Sequence, residues 1–319
     1  MCYSAQIQAD YAKYVREFGA DIDIDEFVRL YWDREGQPKL RIPKAMDASF
    51  SAPETEQARR IAAMIARFDG EQTTRFEQDV FKQKKRLADA ERVLQTKTTK
   101  KALEDQRVSK NKIEYALGKL NDLRRTRLEP RDSRIFPSWY APVMISEQGR
   151  RMVRPMRYQC RPAHVSAQFD IDRPNAYNAR RDSLEGFWKR QFGYTHGILM
   201  IDAFYENVSR HAMEGRELAP GETEENVILE FRPRSGQPML VACLWSRWQG
   251  AGQPDLLSFA AITDDPPPEI AAAGHDRVII PIKPEHVDAW LNPDPGDLKT
   301  QYAILDDRER PYYEHRMAA

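Results

Sequence analysis

Between Glu54 and Glu129 apolar residues recur at helical spacing, with Ile61, Ile65 and Phe68 on one stripe, Val80, Leu87, Ala90 and Leu94 on another, and Ile113, Leu117, Leu120 and Leu123 on a third. The stretch has few aromatics, no internal proline and dense Lys, Arg, Glu and Gln between the stripes. It predicts two or three long helices, with breaks at Gly70 beside Thr73 and Thr74 and at Thr96 to Lys101, folded as a helical hairpin or short antiparallel coiled coil. After Pro130 the pattern changes to short apolar runs separated by Pro, Gly and Asp. Ile198 to Glu206, Val227 to Arg232, Met239 to Trp245, Ser258 to Thr263 and Arg277 to Ile282 read as strands. The gaps between them leave little room for repeated βαβ units, so the expected class is α+β with an antiparallel or barrel-like core rather than a Rossmann sheet. The charged, proline-broken residues 294–319 read as a tail over the surface.

Composition changes this picture in three ways. The chain has 319 residues with 49 Lys and Arg against 49 Asp and Glu, yet the helical segment carries about six more basic than acidic groups, so a neutral whole conceals a basic arm. Such an arm is either a solvated helical face or a surface for nucleic acid or a protein partner. Three distant cysteines, at positions 2, 160 and 243, fit neither a disulfide framework nor a C-x-x-C knuckle, and point to a reducing compartment. The first ten residues carry acid and amide groups where a secretory signal needs a basic start and an apolar stretch, and the longest apolar runs fall far short of the ~20 residues that span a bilayer. The expectation is a cytoplasmic protein without a membrane span. The histidines at 164, 196, 211, 286 and 315 show no i, i+4 pair, so neither metal nor other cofactor is expected, and Cys160 and Cys243 read as buried thiols.

Cys2 is the unusual feature. If Met1 is removed, the chain begins with a free α-amine and a thiol on adjacent carbons. An α-amine with pKa about 7.7 to 8.0 can attack an aldehyde, and a thiol with pKa about 8.5 can add to the resulting imine. The product is a five-membered thiazolidine, which no other position in a chain can form. Taken alone, a cysteine at position 2 is usually an accident of sequence.

Three segments keep it company: Tyr177-Asn178-Ala179-Arg180-Arg181-Asp182, then Ile201-Asp202-Ala203-Phe204-Tyr205-Glu206, then Gly274-His275-Asp276-Arg277 followed by Val278 to Ile282. In this order they resemble the N-A-R, A-D-G-F-Y-E and H-D-R-M-P motifs of the SRAP family, the SOS-response-associated peptidase or abasic-site processing proteins, whose most specific mark is a Met-Cys start. Ala141-Pro142, Met156-Arg157-Tyr158, Ala242-Cys243-Leu244-Trp245 and Ser258 to Thr263 add to the resemblance. It covers roughly residues 1 to 50 and 131 to 293. It implies an SRAP-like catalytic domain from 1–50 and 131–293, with 54–129 an inserted arm. It also implies covalent capping of abasic sites in single-stranded DNA through the mature N-terminal cysteine, with nucleoid association when bound. Carried over by position, Asn178 would orient the Cys2 amine, Glu206 would give and take the proton that opens the sugar, and His275 would assist imine formation and reversal. Each has a plain structural alternative, as an ion-paired carboxylate, a hydrogen-bonding imidazole or a turn residue.

Arg180 belongs to the motif and reads as a phosphate contact. Arg181, Arg157, Arg161, Lys189 and Arg190, interleaved with Trp139, Phe187 and Trp188, have the composition of a single-strand binder, although many of these aromatics are expected in the core. The sequence departs from the family at Tyr3-Ser4, where Gly-Arg is usual, and at Asn207, where Trp is usual. Two rival readings remain open: a thiol peptidase using Cys2, His275 and Glu206, and a non-catalytic DNA-binding protein that recruits a partner through its arm. A monomer is expected.

Overall fold

The protein is described from a computed structural model, over residues 3–318. Its chain divides into two compact units, one running up to Ala52 and resuming at Glu129, the other Pro53–Leu128.

The first unit carries the strands β1 (Ser4–Ile7), β2 (Asp21–Ile22), β3 (Arg134–Ile135), β4 (Tyr140–Glu147), β5 (Arg150–Tyr158), β6 (Asn178–Arg180), β7 (His196–Ser209), β8 (Asn226–Pro233), β9 (Met239–Trp248), β10 (Leu256–Asp264), β11 (Val278–Ile279) and β12 (Tyr313–Met317). Its helices α1 (Tyr11–Phe18), α2 (Ile24–Gly36) and α3 (Lys44–Ala48) precede the second unit. That unit is built from α4 (Glu56–Thr96) and α5 (Lys100–Arg124). The short α6 (Phe169–Asp172), α7 (Arg210–Met213), α8 (Pro268–Ala272), α9 (Val287–Leu291) and α10 (Leu298–Asp306) follow in the first unit. Among the described residues no helix is long and apolar enough to cross a membrane.

The strand pairing closes on itself. β7 pairs with β9, β9 with β10, β10 with β5, β5 with β4, and β4 again with β7, which makes a five-stranded barrel. The α+β, barrel-like class read from the pattern therefore holds, with one difference: β5 and β10 run parallel, as do β6 and β10. Parallel neighbours need a long connection, and here the chain from Tyr158 to Leu256 supplies it by building four other strands, β6 to β9, on the way. Closure leaves the inner strands almost wholly buried, so β9 and β10 read as continuous apolar runs instead of alternating ones.

Two side chains close weak points in the barrel. β4 and β7 pair only at Met144↔Ile198 and Ile145↔Gly197. A Cβ on Gly197 would lie 3.0 Å from Val143 Cγ1, so glycine permits this close approach. Beyond the paired stretch the buried phenol of Tyr14 bridges the strands, donating to Pro142 O at 3.1 Å and accepting from Met200 N–H at 3.0 Å. Burial pushes the Tyr14 phenol well above its ordinary pKa, so it stays a donor. At the strand's start His196 Nε2 accepts from Gly193 N–H at 2.8 Å and Nδ1 lies 3.0 Å from Trp290 O. The two contacts fix one neutral tautomer, protonated at Nδ1.

β7 is longer than the barrel needs. Its first half lies in the barrel; its second half, from Ala203, leaves it and pairs with β1 on one side and β8 on the other. Residues 294–319, read as a surface tail, instead supply α10 and the edge strand β12, which pairs with β8 along its whole length.

In the second unit, α4 and α5 form an antiparallel hairpin joined by Lys97, Thr98 and Thr99. Arg86 Nε to Asp105 at 3.2 Å, Arg124 to Glu77 at 2.9 Å and the Phe76–Tyr115 ring contact at 6.3 Å set the register. Ala102, Ser109 and Ala116 are buried seven residues apart, a close-packed heptad seam. Gly70 makes no break. It stays inside α4, where Thr74 Oγ1 donates to Gly70 O at 3.0 Å, because the ~1 kcal/mol cost of one glycine is small against the packing of a long helix.

Candidate active site

Glu206 sits in the second half of β7, opposite Leu229 of β8. Phe204 and Val208, two residues to either side, share its face, and Phe204 stacks on Phe231 with centroids 5.2 Å apart. The same alternation turns Asn207 outward. A carboxylate with 1% exposure among apolar neighbours needs a proton or a cation nearby. His275 supplies one: its Nε2 lies 3.1 Å from Glu206 Oε2.

His275 is delivered by the turn between α8 and β11. Gly274 has φ +90, and a Cβ there would lie 3.0 Å from Ala212 Cβ, so only glycine fits this turn without displacing its neighbours. The imidazole is 8% exposed, and its Nδ1 lies 2.9 Å from Arg277 O and 3.3 Å from Arg277 N. With Nδ1–H donating to the carbonyl, the nitrogen facing Glu206 either accepts from a carboxylic acid or donates as imidazolium. The carboxylate and the imidazole thus lie within ion-pair distance of each other.

Asn178 opens β6 beside Ala261 of β10 and is 8% exposed. Neither polar atom of its amide makes a hydrogen bond among the described residues. Such a buried amide costs about 1–3 kcal/mol when unsatisfied, and is a standing donor and acceptor for a group that enters. Its neighbour Tyr177 packs against Tyr158 at 5.5 Å and Tyr3 at 6.5 Å. Tyr3 also meets Phe136 at 5.8 Å, and Phe136 meets Trp139 at 5.7 Å. Ser4, next along, pairs with Tyr205, the residue before Glu206. The start of the described chain thus adjoins the segments carrying both Asn178 and Glu206. Cys2 itself lies outside the described residues.

Arg134 escaped the sequence reading. From β3 it donates to Ser4 Oγ at 3.0 and 2.9 Å, and its guanidinium lies over the Tyr205 ring at 3.8 Å. Burial lowers its pKa from the usual arginine value. Nothing in the local pattern marks it, since Ser4 and Tyr205 are about 70 to 130 positions away.

The other basic candidates separate into two groups. Arg157 and Arg161 both grip Asp170, at 2.7 and 3.1 Å, and Arg161 stacks over Trp248 at 4.4 Å. Burial would raise the Asp170 carboxyl, but the guanidiniums of Arg161 and Arg157 outweigh it and hold the pKa below the usual value. Arg181 is held by Asp264 and Asp306. These three are tied into the fold. Arg180 is exposed and, among the described residues, paired only with Asp182 at 2.7 Å, while Lys189 and Arg190 face solvent. Trp188 is 2% exposed and belongs to the core; Trp139 is partly exposed, and Phe187 lies open against Phe169. Cys160 and Cys243 are buried free thiols, and burial pushes Cys160 up to about 12. Among the described residues no three His, Cys, Asp or Glu side chains gather as a metal site.

The model of the family described as SOS response associated peptidase (SRAP) matches residues 91–317. The chain belongs to the SRAP family. The SRAP match begins inside α4, includes α5, and runs beyond Pro293 to take in α10 and β12. Similar solved structures include a protein from Bordetella bronchiseptica, 17% identical with a TM-score of 0.46, covering 59% of this chain and 87% of its own. A Bacteroides thetaiotaomicron protein is 13% identical with a TM-score of 0.46, over 59% and 78% of the two chains. A phage-related protein from Bordetella bronchiseptica is 20% identical with a TM-score of 0.43, over 61% and 84%. No curated protein matches. Membership of SRAP associates the protein with the SOS response, and so with DNA damage, at the level of the family.

Proposed function

We propose that this SRAP protein captures abasic sites in single-stranded DNA by a covalent bond from Cys2 after loss of Met1. The observation that carries the reading is the buried Glu206–His275 pair, 3.1 Å apart, with Glu206 on β7, the strand that β1 pairs with. Ser4, two positions after Cys2 in the sequence, pairs with Tyr205, the residue before Glu206.

An abasic deoxyribose is mostly a closed hemiacetal. Glu206 in its acid form protonates the ring oxygen while its partner takes the proton of the anomeric hydroxyl, and the ring opens to the aldehyde. The Cys2 amine adds to the carbonyl carbon, and His275 delivers the proton with which hydroxide leaves as water, giving an imine. The Cys2 sulfur then adds to the imine carbon, and the thiol proton passes to nitrogen. One water is lost overall, and no oxidant or reductant is consumed. Asn178 offers its unpartnered amide to hold the amine, and Arg134, bound to Ser4, is a cation of the kind that favours thiolate over thiol. Tyr3, Phe136 and Trp139 offer ring faces to bases flanking the lesion, and Arg180, Lys189 and Arg190 offer phosphate contacts. On this reading residues 1–50 and 131–293 are the catalytic core, and 54–129 is an arm outside the chemistry.

The peptidase in the family's description favours one rival, in which the same pair activates the Cys2 thiol against a peptide bond. Offering the processed protein an abasic single strand and a peptide library together separates the readings on one denaturing gel. A shifted DNA band supports capture, cleaved peptide with unshifted DNA supports the rival, and neither product leaves DNA binding without catalysis.

A further inference from the structure

The basic surplus of the hairpin is not spread along it. In Pro53–Leu128 and the adjoining Glu129 there are 19 Lys and Arg against 13 Asp and Glu, and residues 82–101 hold 8 of the bases but only 2 of the acids. The remainder of the arm therefore balances, 11 against 11, and the whole surplus of six sits around the link between α4 and α5. Two of the tip cations are used locally, Arg86 by Asp105 and Arg92 by Asp89. Lys82, Lys84, Lys85, Lys97, Lys100 and Lys101 are exposed, and none forms an ion pair among the described residues.

Helix electrostatics explain only one of the six. Lys97 is the C-cap of α4, where a cation is favoured. Lys100 and Lys101 occupy the first turn of α5, which holds no acidic residue, although acids are the stabilising choice there. Six uncompensated like charges on a short stretch repel one another, a local cost that an outside polyanion relieves. The exposed large apolar side chains in and beside this stretch, Phe81, Val93 and Leu103, are too few for the broad apolar face with which a helix lies on a membrane. From Lys82 to Lys97 the cations extend over ~23 Å of helix, about seven phosphates of one strand at ~3.4 Å each.

We propose that the hairpin tip is a second nucleic-acid contact, recognising the phosphodiester backbone without regard to sequence or damage. It does not rest on the Cys2 chemistry, so an undamaged strand tests it. In the full-length protein, Lys84, Lys85, Lys100 and Lys101 are changed together to Gln; a matched control changes Arg60, Arg75, Lys110 and Lys112 to Gln. Affinity for an undamaged single-stranded oligonucleotide is followed by fluorescence anisotropy across a salt series, with far-UV circular dichroism as the check on helicity. The tip variant is expected to bind about tenfold or more weakly at low salt, with the log–log salt slope flattened by about 2 to 3, as loss of up to four single-strand contacts requires. The control should change by less than about threefold, and Lys→Arg at the four tip positions should keep both affinity and slope. Equal losses in the tip and control variants would reduce the effect to net charge and overturn the assignment. Unchanged oligonucleotide binding in the helical tip variant would also overturn it, as would a loss seen only with phosphatidylserine vesicles or polyglutamate.

Discussion

Glu206 and His275 are each ordinary residue types in an extraordinary place, a 1% exposed carboxylate within 3.1 Å of an imidazole. On the proposed function the pair gives and takes the proton at one site. General acid–base help of this kind contributes about 10²- to 10⁴-fold, so Glu206→Gln should slow single-turnover adduct formation at saturating DNA by roughly tenfold or more. His275→Ala should slow it as well, while binding to an undamaged strand stays within about twofold of wild type; unchanged rates in both variants would make the pair structural. His196 shows the contrast. Burial lowers its pKa to about 3 from 6.5, with the Trp290 carbonyl only partly opposing, so it is neutral in the folded chain and protonated in the unfolded chain below about 6.5. The unfolded state then binds the extra proton between about pH 6.5 and 3, and stability present above 6.5 is lost as pH falls, by up to ~1.4 kcal/mol per unit. Urea midpoints taken between pH 7 and 5 should therefore decline more steeply in wild type than in His196→Gln. At this scale Asn178, Glu206 and His275, all three buried by the fold, were singled out by the motifs that hold them. Tyr14 and Arg134 were not, because their partners lie across the sheet at Pro142, Met200 and Ser4, distances that no local pattern encodes.

At the scale of elements, β7 carries the argument: one 14-residue strand closes the barrel with its first half and presents Glu206 with its second. The apolar run from Ile198 revealed the strand, but nothing in that run marks the point at which it changes partners. The parallel β5–β10 pair was equally hidden, since single strands do not reveal the direction of a neighbour about 100 residues away. Helical periodicity exposed the hairpin, and Thr99 at the N-cap of α5 marks its one real break. The false break at Gly70 came from weighing one residue against a turn rather than against 41 residues of packed helix. Replacing Pro53–Leu128 by a short loop should leave adduct formation intact at low salt and saturating DNA, with a lower affinity. A folded deletion that no longer cross-links at all would put the arm inside the active site.

For the whole molecule, a neutral sequence of 49 bases and 49 acids divides into a basic hairpin tip and a remainder that is correspondingly acidic. Long-range attraction of DNA then depends on where charge lies, which composition alone concealed. The central claim is that one N-terminal residue supplies both the amine and the thiol of a stable bond to an abasic site. Intact-mass spectrometry of the protein mixed with an abasic single strand, with no borohydride added, tests this most directly. The account predicts one species whose mass is that of the chain without Met1 plus the strand minus one water, absent in Cys2→Ala and absent when Met1 is retained. The corresponding adduct, variant chain plus strand minus one water, appearing in Cys2→Ala at the wild-type rate, or an adduct that wild type forms only when borohydride traps an imine, would contradict it.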